Sequence, residues 1–445
     1  MLLIRNAEIE GAPGLDVRCS GDGRIVEIGR GLQSADDGVV IDACGGAVLP
    51  GLHDHHIHLL ALAAARSSVL CGPPEIGDAG SLRDALRDAP GDGWIRGVGY
   101  HESVAGMLNA RVLDALVADR PVRVQHRSGK MWFLNSMAIR LVGAEAGSDG
   151  RLFRRDEWLR ERLDADVDRA AVQATSRLLA ARGVTGITDT TPSNDDRTAR
   201  LLADLAPAQH VELMGSEALT AGTLKIMLDD YALPDIDALQ RRIVTAHERG
   251  RRVAVHCVTR AELVFAASAF IETGSAPGDR RDRIEHASVT DDGAMALLRR
   301  AGLTVVTQPN LVFERGDQYL VDVDATDHGW LYRCRGFLDA GVPLGGGTDA
   351  PFGQPDPWAA MRAAVTRETA GGQRISEARE ALTPEQALAL FTTPPDDPGG
   401  APRRVAVGAA ADLCVLRCNW LAARERLCHD DVAVVTKDGT VTYQC

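Results

Sequence analysis

The 445-residue sequence predicts an α/β fold built on a (β/α)8 barrel of the TIM type. Three observations support this prediction. Eight strand-like segments alternate with helical ones, both ends carry hairpin signals, and more than 120 residues separate the first two strand-like segments. We therefore expect a small composite β-sandwich domain from residues 1–48 and 396–445, a barrel over 49–395, and an inserted subdomain over 62–175.

The two ends of the chain predict β structure. DVRCSGDGRIVEIG and VAVVTKDGTVTY each place an Asp-Gly turn between alternating or β-branched runs, which is typical of a hairpin. ADLCVL adds another short strand near the C-terminus. Because the two ends share this character, we expect them to pair into one small domain.

The middle of the chain predicts a parallel barrel. Helical periodicity runs through the intervening segments RAELVFAASAFIETG and DDGAMALLRRAG. Eight βα units favour a barrel whose chemistry lies at the C-terminal ends of its strands. The predicted strands lie within AVLPGLHDHHIHL, GVTGITDT, QHVELMG, TLKIMLDD, RVAVHCV, DRIEHAS, LTVVTQP and VPLGGGTDA.

The connection after the first barrel strand is too long for a simple βα loop. It contains its own strand-like segments, GWIRGVGY and PVRVQHRSG, and the helical, charged stretch RRDEWLRERLDADVDRAAVQATSRLLAARG. We expect it to form a subdomain that covers the barrel mouth.

The composition excludes several classes of protein. A formal charge of -13 argues against a general partner for nucleic acid or an anionic membrane, because both reward a basic surface. No apolar run reaches the roughly 18–20 residues needed to cross a bilayer. The opening segment MLLIRNAEIEG lacks the apolar core of a signal peptide. These features predict a cytoplasmic protein.

A cluster of histidines closes the first barrel segment. Side chains alternate along a strand, so His56 and His58 share one face while His53 and His55 share the other. Only one of these pairs can face the barrel interior. Imidazole nitrogens and carboxylate oxygens suit zinc and related divalent ions.

Three further ionisable residues end apolar strand segments. His256 ends RVAVHCV, His286 lies near the end of DRIEHAS, and Asp349 near the end of VPLGGGTDA. A core histidine with satisfied hydrogen bonds would explain any one of them. Their equivalent positions on three strands favour a shared site at the barrel mouth.

Lys225 is one of only three lysines in the chain, and apolar residues flank it in TLKIMLDD. Burying its charge is costly unless that charge is paired or neutralised. One interpretation is a buried ion pair with a carboxylate. The other is a lysine carboxylated by carbon dioxide, which becomes an anionic oxygen ligand able to bridge two metals.

These segments together resemble the amidohydrolase superfamily. AVLPGLHDHHIHL is similar to its opening strand, and KIMLDD, AVHCV, RIEHA and GTDAPF follow in the family order of lysine, histidine, histidine and aspartate. GWIRGVGY and RPVRVQHRSGKMWFLNS resemble the YtcJ-like branch, which includes N-substituted formamide deformylases. LTPEQALALFTTPP and VAVGAAADLCVL resemble the closing helix and the last β-domain strand of the family.

The resemblance implies two divalent metal ions, with zinc the expected metal. It assigns His56, His58 and Asp349 to the more buried ion, and His256 and His286 to the second. Carboxylated Lys225 would bridge the pair. Asp349 would also be the catalytic acid and base.

The substrate region is less sharply defined by the sequence. Lys130 stands where many members of the branch have histidine, so it is either a binder of an anionic substrate group or a solvated loop lysine. Three aromatic residues are candidate pocket walls, with packing in the core or a lid as the alternative: Trp132, Phe313 and Tyr319.

Two residues beside His286 are candidates to orient that ligand. They are Arg283 and Glu285, and the interpretation favoured for Arg283 is a surface position.

The predicted activity is hydrolysis of a non-peptide C–N bond (amide, N-acyl or N-formyl) of a small molecule by a metal-activated hydroxide. One alternative is a mononuclear deaminase or cyclic-amide hydrolase of the same superfamily. The other is a non-catalytic metal-binding paralogue. A homodimer and an anionic amide substrate are further expectations.

Overall fold

The computed structural model describes residues 1–34, 38–144, 149–163, 167–274, 282–376 and 378–445, apart from the side chains of Glu157 and Ala378. The chain divides into two units. The first comprises Met1–His58 and Ser176–Cys445, and the second comprises Leu59–Thr175.

The described residues contain 21 strands. In chain order they are β1 (Leu2–Ile9), β2 (Ala12–Cys19), β3 (Ile25–Gly29), β4 (Val39–Asp42), β5 (Val48–Pro50), β6 (Leu52–Ile57), β7 (Val69–Leu70), β8 (Ile95–Tyr100), β9 (Val122–His126), β10 (Met131–Leu134), β11 (Arg151–Phe153), β12 (Val184–Asp189), β13 (His210–Gly215), β14 (Thr223–Met227), β15 (Val253–Cys257), β16 (Arg283–His286), β17 (Thr304–Thr307), β18 (Leu344–Gly346), β19 (Leu413–Leu416), β20 (Val432–Lys437) and β21 (Thr440–Gln444).

The same described ranges contain 16 α-helices. They are α1 (Leu59–Arg66), α2 (Ala79–Arg87), α3 (Glu102–Ala105), α4 (Ala110–Leu116), α5 (Ser136–Val142), α6 (Asp156–Arg162), α7 (Arg169–Ala181), α8 (Asp196–Leu205), α9 (Ile236–Glu248), α10 (Arg260–Glu272), α11 (Asp292–Ala301), α12 (Asn310–Asp322), α13 (Cys334–Asp339), α14 (Pro357–Thr366), α15 (Pro384–Thr392) and α16 (Trp420–Arg426). Not one of them has both the length and the apolar character that a membrane span requires.

The first unit is built around an eight-stranded parallel barrel, which confirms the predicted fold class. Its strand order is β18-β17-β16-β15-β14-β13-β12-β6, and all eight strands lie within the segments predicted from sequence. Backbone hydrogen bonds close the seam between the last and first strands, where His58 N donates to Ala350 O at 2.9 Å and Asp349 N donates to His56 O at 2.7 Å. The polar residues that end these strands therefore meet at one rim.

Local sequence signals explain where the surrounding helices begin and end. Thr259 and Glu262 form a capping box at the start of α10, so backbone donors that lack helical partners are satisfied. Asp291 caps α11, and Gly302 ends it in a left-handed conformation with φ +67°. These boundaries lie close to those of the predicted helical segments.

The two ends of the chain form a β structure with a common core. The N-terminal sheet has the order β3-β2-β1-β4, and the second sheet has the order β21-β20-β19-β5. Both predicted hairpins are present, as β2–β3 and β20–β21. The buried core contains residues from both sheets, among them Ile4, Val17, Val48, Leu413 and Val415.

The second unit contains a five-stranded sheet of order β11-β10-β9-β8-β7. The strand-like segments GWIRGVGY and PVRVQHRSG form β8 and β9, which pair in parallel. The predicted charged helical stretch forms α6 and α7, and its residues 164–166 lie outside the described residues.

Candidate metal centre

Three of the predicted metal ligands converge closely at the C-terminal rim of the barrel. Ligand atoms of His56, His286 and Asp349 all lie within 4.8 Å of one another. They come from β6, from β16 and from the segment directly after β18. Parallel strands deliver side chains to one rim in this way, where a barrel carries its chemistry.

The other predicted histidines border this group. Nε2 of His58 lies 3.3 Å from Oδ1 of Asp349, and Nε2 of His56 lies 3.5 Å from the same oxygen. The His256 and His286 ring centroids are 4.5 Å apart. The described site thus brings four histidines and one carboxylate into a single cluster.

Outer hydrogen bonds orient the imidazoles. Nδ1 of His286 lies 2.7 Å from Oε1 of Gln308, and Nδ1 of His58 lies 2.9 Å from the Thr191 hydroxyl. Nδ1 of His56 contacts the Glu285 carboxylate. The Gln308 amide oxygen and the Glu285 carboxylate are acceptors, so they favour a proton on Nδ1 of His286 and His56 and leave Nε2 with its lone pair for a metal ion.

Two of these residues have a left-handed backbone. His286 has φ +70° and Asp349 has φ +57°, which is uncommon for residues other than glycine. Neighbouring hydrogen bonds hold this geometry: Asp349 N donates to His56 O, and Ala287 N donates to Cys257 O at 2.9 Å. These hydrogen bonds fix the direction in which the side chains of His286 and Asp349 leave their strands.

Lys225 lies in the same part of the barrel. Its side chain is buried, and Nζ has no hydrogen-bond partner among the atoms of the described residues. Burial lowers the pKa of Lys225 to about 8, although the neighbouring Glu285 carboxylate opposes this change. A buried amine without a hydrogen-bond partner is energetically costly, and this one lies beside the predicted metal ligands.

Burial and neighbouring groups leave the predicted ligands in the protonation state that a metal requires. Burial and the charge of Lys225 lower the pKa of His56 to about 3, and burial also lowers the pKa values of His256 and His286. Burial alone would raise the pKa of Asp349, but the hydrogen bond with His58, together with the neighbouring histidines, holds this pKa well below its usual range. Neutral imidazoles and an ionised carboxylate are the ligand forms of these groups.

The surface position favoured for Arg283 is wrong. Its side chain is buried, its Nε donates to Oε1 of Glu285 at 2.5 Å, and its Nη2 donates to His55 O at 2.9 Å. Glu285 is fully buried and contacts His56, whereas the sequence suggested that it would orient His286. Arg283 faces the interior because β16 is buried on both faces. Its charge is paired there with that of Glu285, which lies two residues further along the same face of the strand.

Sequence reasoning missed several supporting residues. Asp54 is fully buried and accepts hydrogen bonds from the Thr348 hydroxyl at 2.6 Å and from His56 N at 3.1 Å. Burial raises the pKa of Asp54 to about 7. Gln308 stands just after β17, and its polar character at a strand end was the available signal.

The remaining two histidines of the first cluster point elsewhere. Nε2 of His53 lies 2.9 Å from the Thr188 hydroxyl, and Nε2 of His55 lies 2.8 Å from the Thr393 hydroxyl. Both side chains are buried. They pack inside the first unit away from the converging ligands.

Two predicted substrate-region aromatics lie on α12. Phe313 is 48% exposed, while the Tyr319 hydroxyl lies 3.2 Å from that of Tyr332. Phe352, which the sequence analysis did not single out, places its ring 5.6 Å from the His58 ring in an edge-to-face arrangement. Phe352 is therefore an aromatic wall directly beside a predicted ligand.

The other two predicted substrate residues belong to the second unit. Lys130 is exposed in the turn before β10. Trp132 is 6% exposed, packs in an apolar cluster with Leu134 and Leu152, and donates from Nε1 to Oδ1 of Asp156 at 2.7 Å.

A parallel barrel with histidines and an aspartate converging at its carboxyl rim defines a metal-dependent hydrolase of the barrel type. The model of the amidohydrolase family, described as Amidohydro_3, matches residues 39–443, and the chain belongs to this family. The resemblance seen in the sequence is confirmed. The protein is accordingly a hydrolase that acts on carbon–nitrogen bonds other than peptide bonds.

Known relatives agree with this assignment. The chain is 25% identical over 480 residues to the N-substituted formamide deformylase of Arthrobacter pascens, with 88% of each chain covered. It is 23% identical over 421 residues to the YtcJ protein of Bacillus subtilis (strain 168), with 78% of this chain and 79% of that one covered.

A solved structure shares the fold. An uncharacterised metal-dependent hydrolase from Pyrococcus horikoshii OT3 matches with a TM-score of 0.75 at 19% identity, covering 94% of this chain and 97% of that one.

Proposed function

We propose that the protein hydrolyses an N-formyl or other N-acyl bond of a small molecule at a centre of two divalent metal ions, with zinc as the metal. The observation that carries the proposal is the convergence of histidine and carboxylate ligands around an unpartnered buried lysine. The proposed ligands are His56, His58, Lys225, His256, His286 and Asp349.

Lys225 would be the bridging ligand after carboxylation. A protonated amine cannot bind a metal, and burial makes the positive charge of Lys225 unfavourable. The neutral amine attacks the carbon of carbon dioxide, an N–C bond forms, and one amine proton is released to solvent. The product is a carbamate, which places an anionic oxygen donor where the cation would be. A pKa near 8 makes the neutral amine accessible at physiological pH.

The bound ions would supply a hydrolytic nucleophile at neutral pH and a Lewis acid for the substrate carbonyl. The protein's own contribution centres on Asp349, whose Oδ1 faces Nε2 of both His56 and His58. From this position Asp349 accepts the proton of the attacking water and delivers it to the leaving nitrogen. Such general acid–base catalysis contributes about 10²–10⁴-fold to the rate.

Substrate specificity is the finer part of the proposal. The formamide substrate class follows the name of the Arthrobacter pascens relative. Phe313, Tyr319 and Phe352 would provide apolar walls in the first unit. A flexible ammonium at Lys130 suits an anionic substrate group.

A substrate panel tests the activity. The purified protein, loaded with zinc, is offered N-formyl, N-acetyl and cyclic amides, and the amine and acid products are measured. We expect release of an amine and formate from the N-formyl compounds. Release of ammonia from an aromatic ring instead would identify the deaminase alternative, and no turnover with full metal content would favour the non-catalytic paralogue.

Elemental analysis tests the two-metal centre. We expect wild-type protein to hold two metal ions per chain and Lys225→Ala to hold fewer, because the bridging ligand is lost. Lys437→Ala is a matched control, since this lysine lies on β20 and donates to the backbone oxygens of Pro207 and Gln209. Full metal content in Lys225→Ala would make a single-metal site the better explanation.

A paired-substrate assay tests the role of Lys130. Lys130→Ala is expected to lower kcat/KM more on an acidic amide than on its neutral analogue, because only the acidic one loses an attractive charge. Equal losses on both would contradict an anionic substrate. A cytoplasmic location and a homodimer stay predictions from the sequence.

A further inference from the structure

Two arginines lie side by side on the sheet of the second unit. Arg96 on β8 and Arg123 on β9 are direct register partners in a parallel pair. Their side chains therefore leave the same face of the sheet from strands roughly 4.8 Å apart. Like charges directly opposite each other destabilise a sheet unless something compensates them.

The described part of this unit provides no carboxylate for either side chain. Neither guanidinium has an ion pair within 4.0 Å among the described residues. Arg96 donates from Nη1 to the Ser68 hydroxyl at 2.7 Å, whereas Nε of Arg123 is buried without a hydrogen-bond partner in the described structure. Both guanidinium groups therefore have N–H donors that lack an acceptor in the described structure.

Burial disfavours the charged form of both arginines, and no carboxylate among the described residues compensates for their mutual repulsion. Burial lowers the pKa of Arg96 to about 10, and burial together with the charge of Arg96 lowers the pKa of Arg123 to about 10. Both side chains are nonetheless partly accessible to solvent.

Tryptophan rings hold the pair in position. The guanidinium carbons of Arg96 and Arg123 lie 5.6 and 5.4 Å from the Trp132 ring centroid, and Arg123 lies 5.9 Å from that of Trp94. The hydrogen bond to Asp156 fixes Trp132 itself. Ring faces stabilise a cation but accept none of its directional N–H bonds, so the donors stay available.

We propose that Arg96 and Arg123 form an oxyanion-binding site in the second unit, which takes the carboxylate or phosphate group of a small molecule. Guanidinium groups bind both oxyanions through paired, charge-assisted hydrogen bonds. The anion would neutralise the like-charge pair and satisfy the unused donors. The site is made of residues separate from the metal ligands.

Calorimetric titration of the full-length, zinc-loaded protein with inorganic phosphate and with malonate tests the proposal at one ionic strength set by chloride. The metal centre is intact in every variant, so anion binding there is common to all titrations. Arg123→Gln and Arg96→Gln are expected to weaken binding of at least one probe by about 10- to 100-fold, the range for losing a charged hydrogen bond. Loss of phosphate binding alone indicates a phosphate ligand, and loss of malonate binding alone indicates a carboxylate.

Arg155→Gln is the matched control. Arg155 lies 4.5 Å from the Trp158 ring centroid in the same unit but is exposed, so its loss should leave both titrations unchanged. Arg96→Lys keeps the charge and loses the planar fork, and it should bind with intermediate affinity if Arg123→Gln does not fold. Equal affinities in wild type and both arginine variants, or no binding of either probe by wild type, would overturn the proposal.

Discussion

Replacing Lys225 with methionine should stabilise the metal-free protein at neutral pH while reducing its capacity to hold metal. Methionine matches the length and apolar surroundings of the lysine but brings no charge into the barrel. In the metal-free state the ammonium is buried and lacks a hydrogen-bond partner in the described structure. The variant removes this unfavourable burial.

The size of the effect follows from the pKa of Lys225, which burial lowers from 10.5 to about 8. A difference of this size corresponds to about 3 kcal/mol of unfolding free energy. The amine of Lys225 binds its proton more tightly in the unfolded chain than in the folded one. Below pH 8 the wild type therefore carries the whole free-energy cost of burying the charged amine. The penalty is relieved as pH rises from about 8 to 10.5, so wild-type stability should rise relative to the variant across that window.

Urea denaturation in the presence of a chelator measures the effect at pH 7 and pH 10. We expect Lys225→Met to exceed wild type by about 3 kcal/mol at pH 7 and by clearly less at pH 10. Lys130→Met is the control, because Lys130 is exposed and its replacement should change stability by less than about 0.5 kcal/mol.

A variant less stable than wild type at pH 7 would refute the reasoning. It would mean that Lys225 is stabilised by a partner in the metal-free state. A stability difference that does not change between pH 7 and pH 10 would refute it as well, because the penalty must follow the titration of this one amine.

Three further predictions concern the same unit. Asp349→Asn should keep the fold and lose turnover by about 10²–10⁴-fold in a kcat assay, because the proton-transfer group is gone. Glu285→Gln should weaken metal affinity about 10- to 100-fold in chelator competition, since His56 loses its anionic partner. His210→Gln should lower stability most between about pH 4 and 6.5, because the Asp412 carboxylate, 3.2 Å from Nε2, raises the pKa of His210 and this stabilisation fades as pH rises through that raised value.

Each of these has a contradicting result. Near-normal turnover of Asp349→Asn would exclude its role in proton transfer. Unchanged metal affinity in Glu285→Gln would show that His56 needs no outer carboxylate. A stability loss in His210→Gln that grows above pH 8 would contradict the sign of its interaction with Asp412.

The sequence predicted the barrel from local patterns, and the same patterns indicated the strand ends that carry the proposed ligands. Only the family resemblance distinguished His56 and His58 from His53 and His55. Apolar runs that end in His256, His286 or Asp349 identify strands and their functional ends together. The hydrogen-bond partners were harder, since they depend on which strands become neighbours. Glu285 meets His56 only because the barrel closes, and their positions in the chain are 229 residues apart.

The charged residues show the same limit. The sequence favours a surface position for Arg283, since arginine side chains are mostly exposed. Its partner Glu285, two residues further on the same strand face, was the signal for a buried pair. The pairing of Arg96 with Arg123 depends on strand register, which neither segment specifies alone.

The seam between β18 and β6 has a consequence for synthesis of the protein. Thr348 hydrogen-bonds to Asp54, which lies 294 residues earlier, and Asp349 joins His56 across the same seam. A ribosome must therefore translate most of the chain before the histidines made first can meet their carboxylate. The set of proposed ligands is therefore complete only after the barrel has closed, and a truncated product would carry the histidines without the carboxylate.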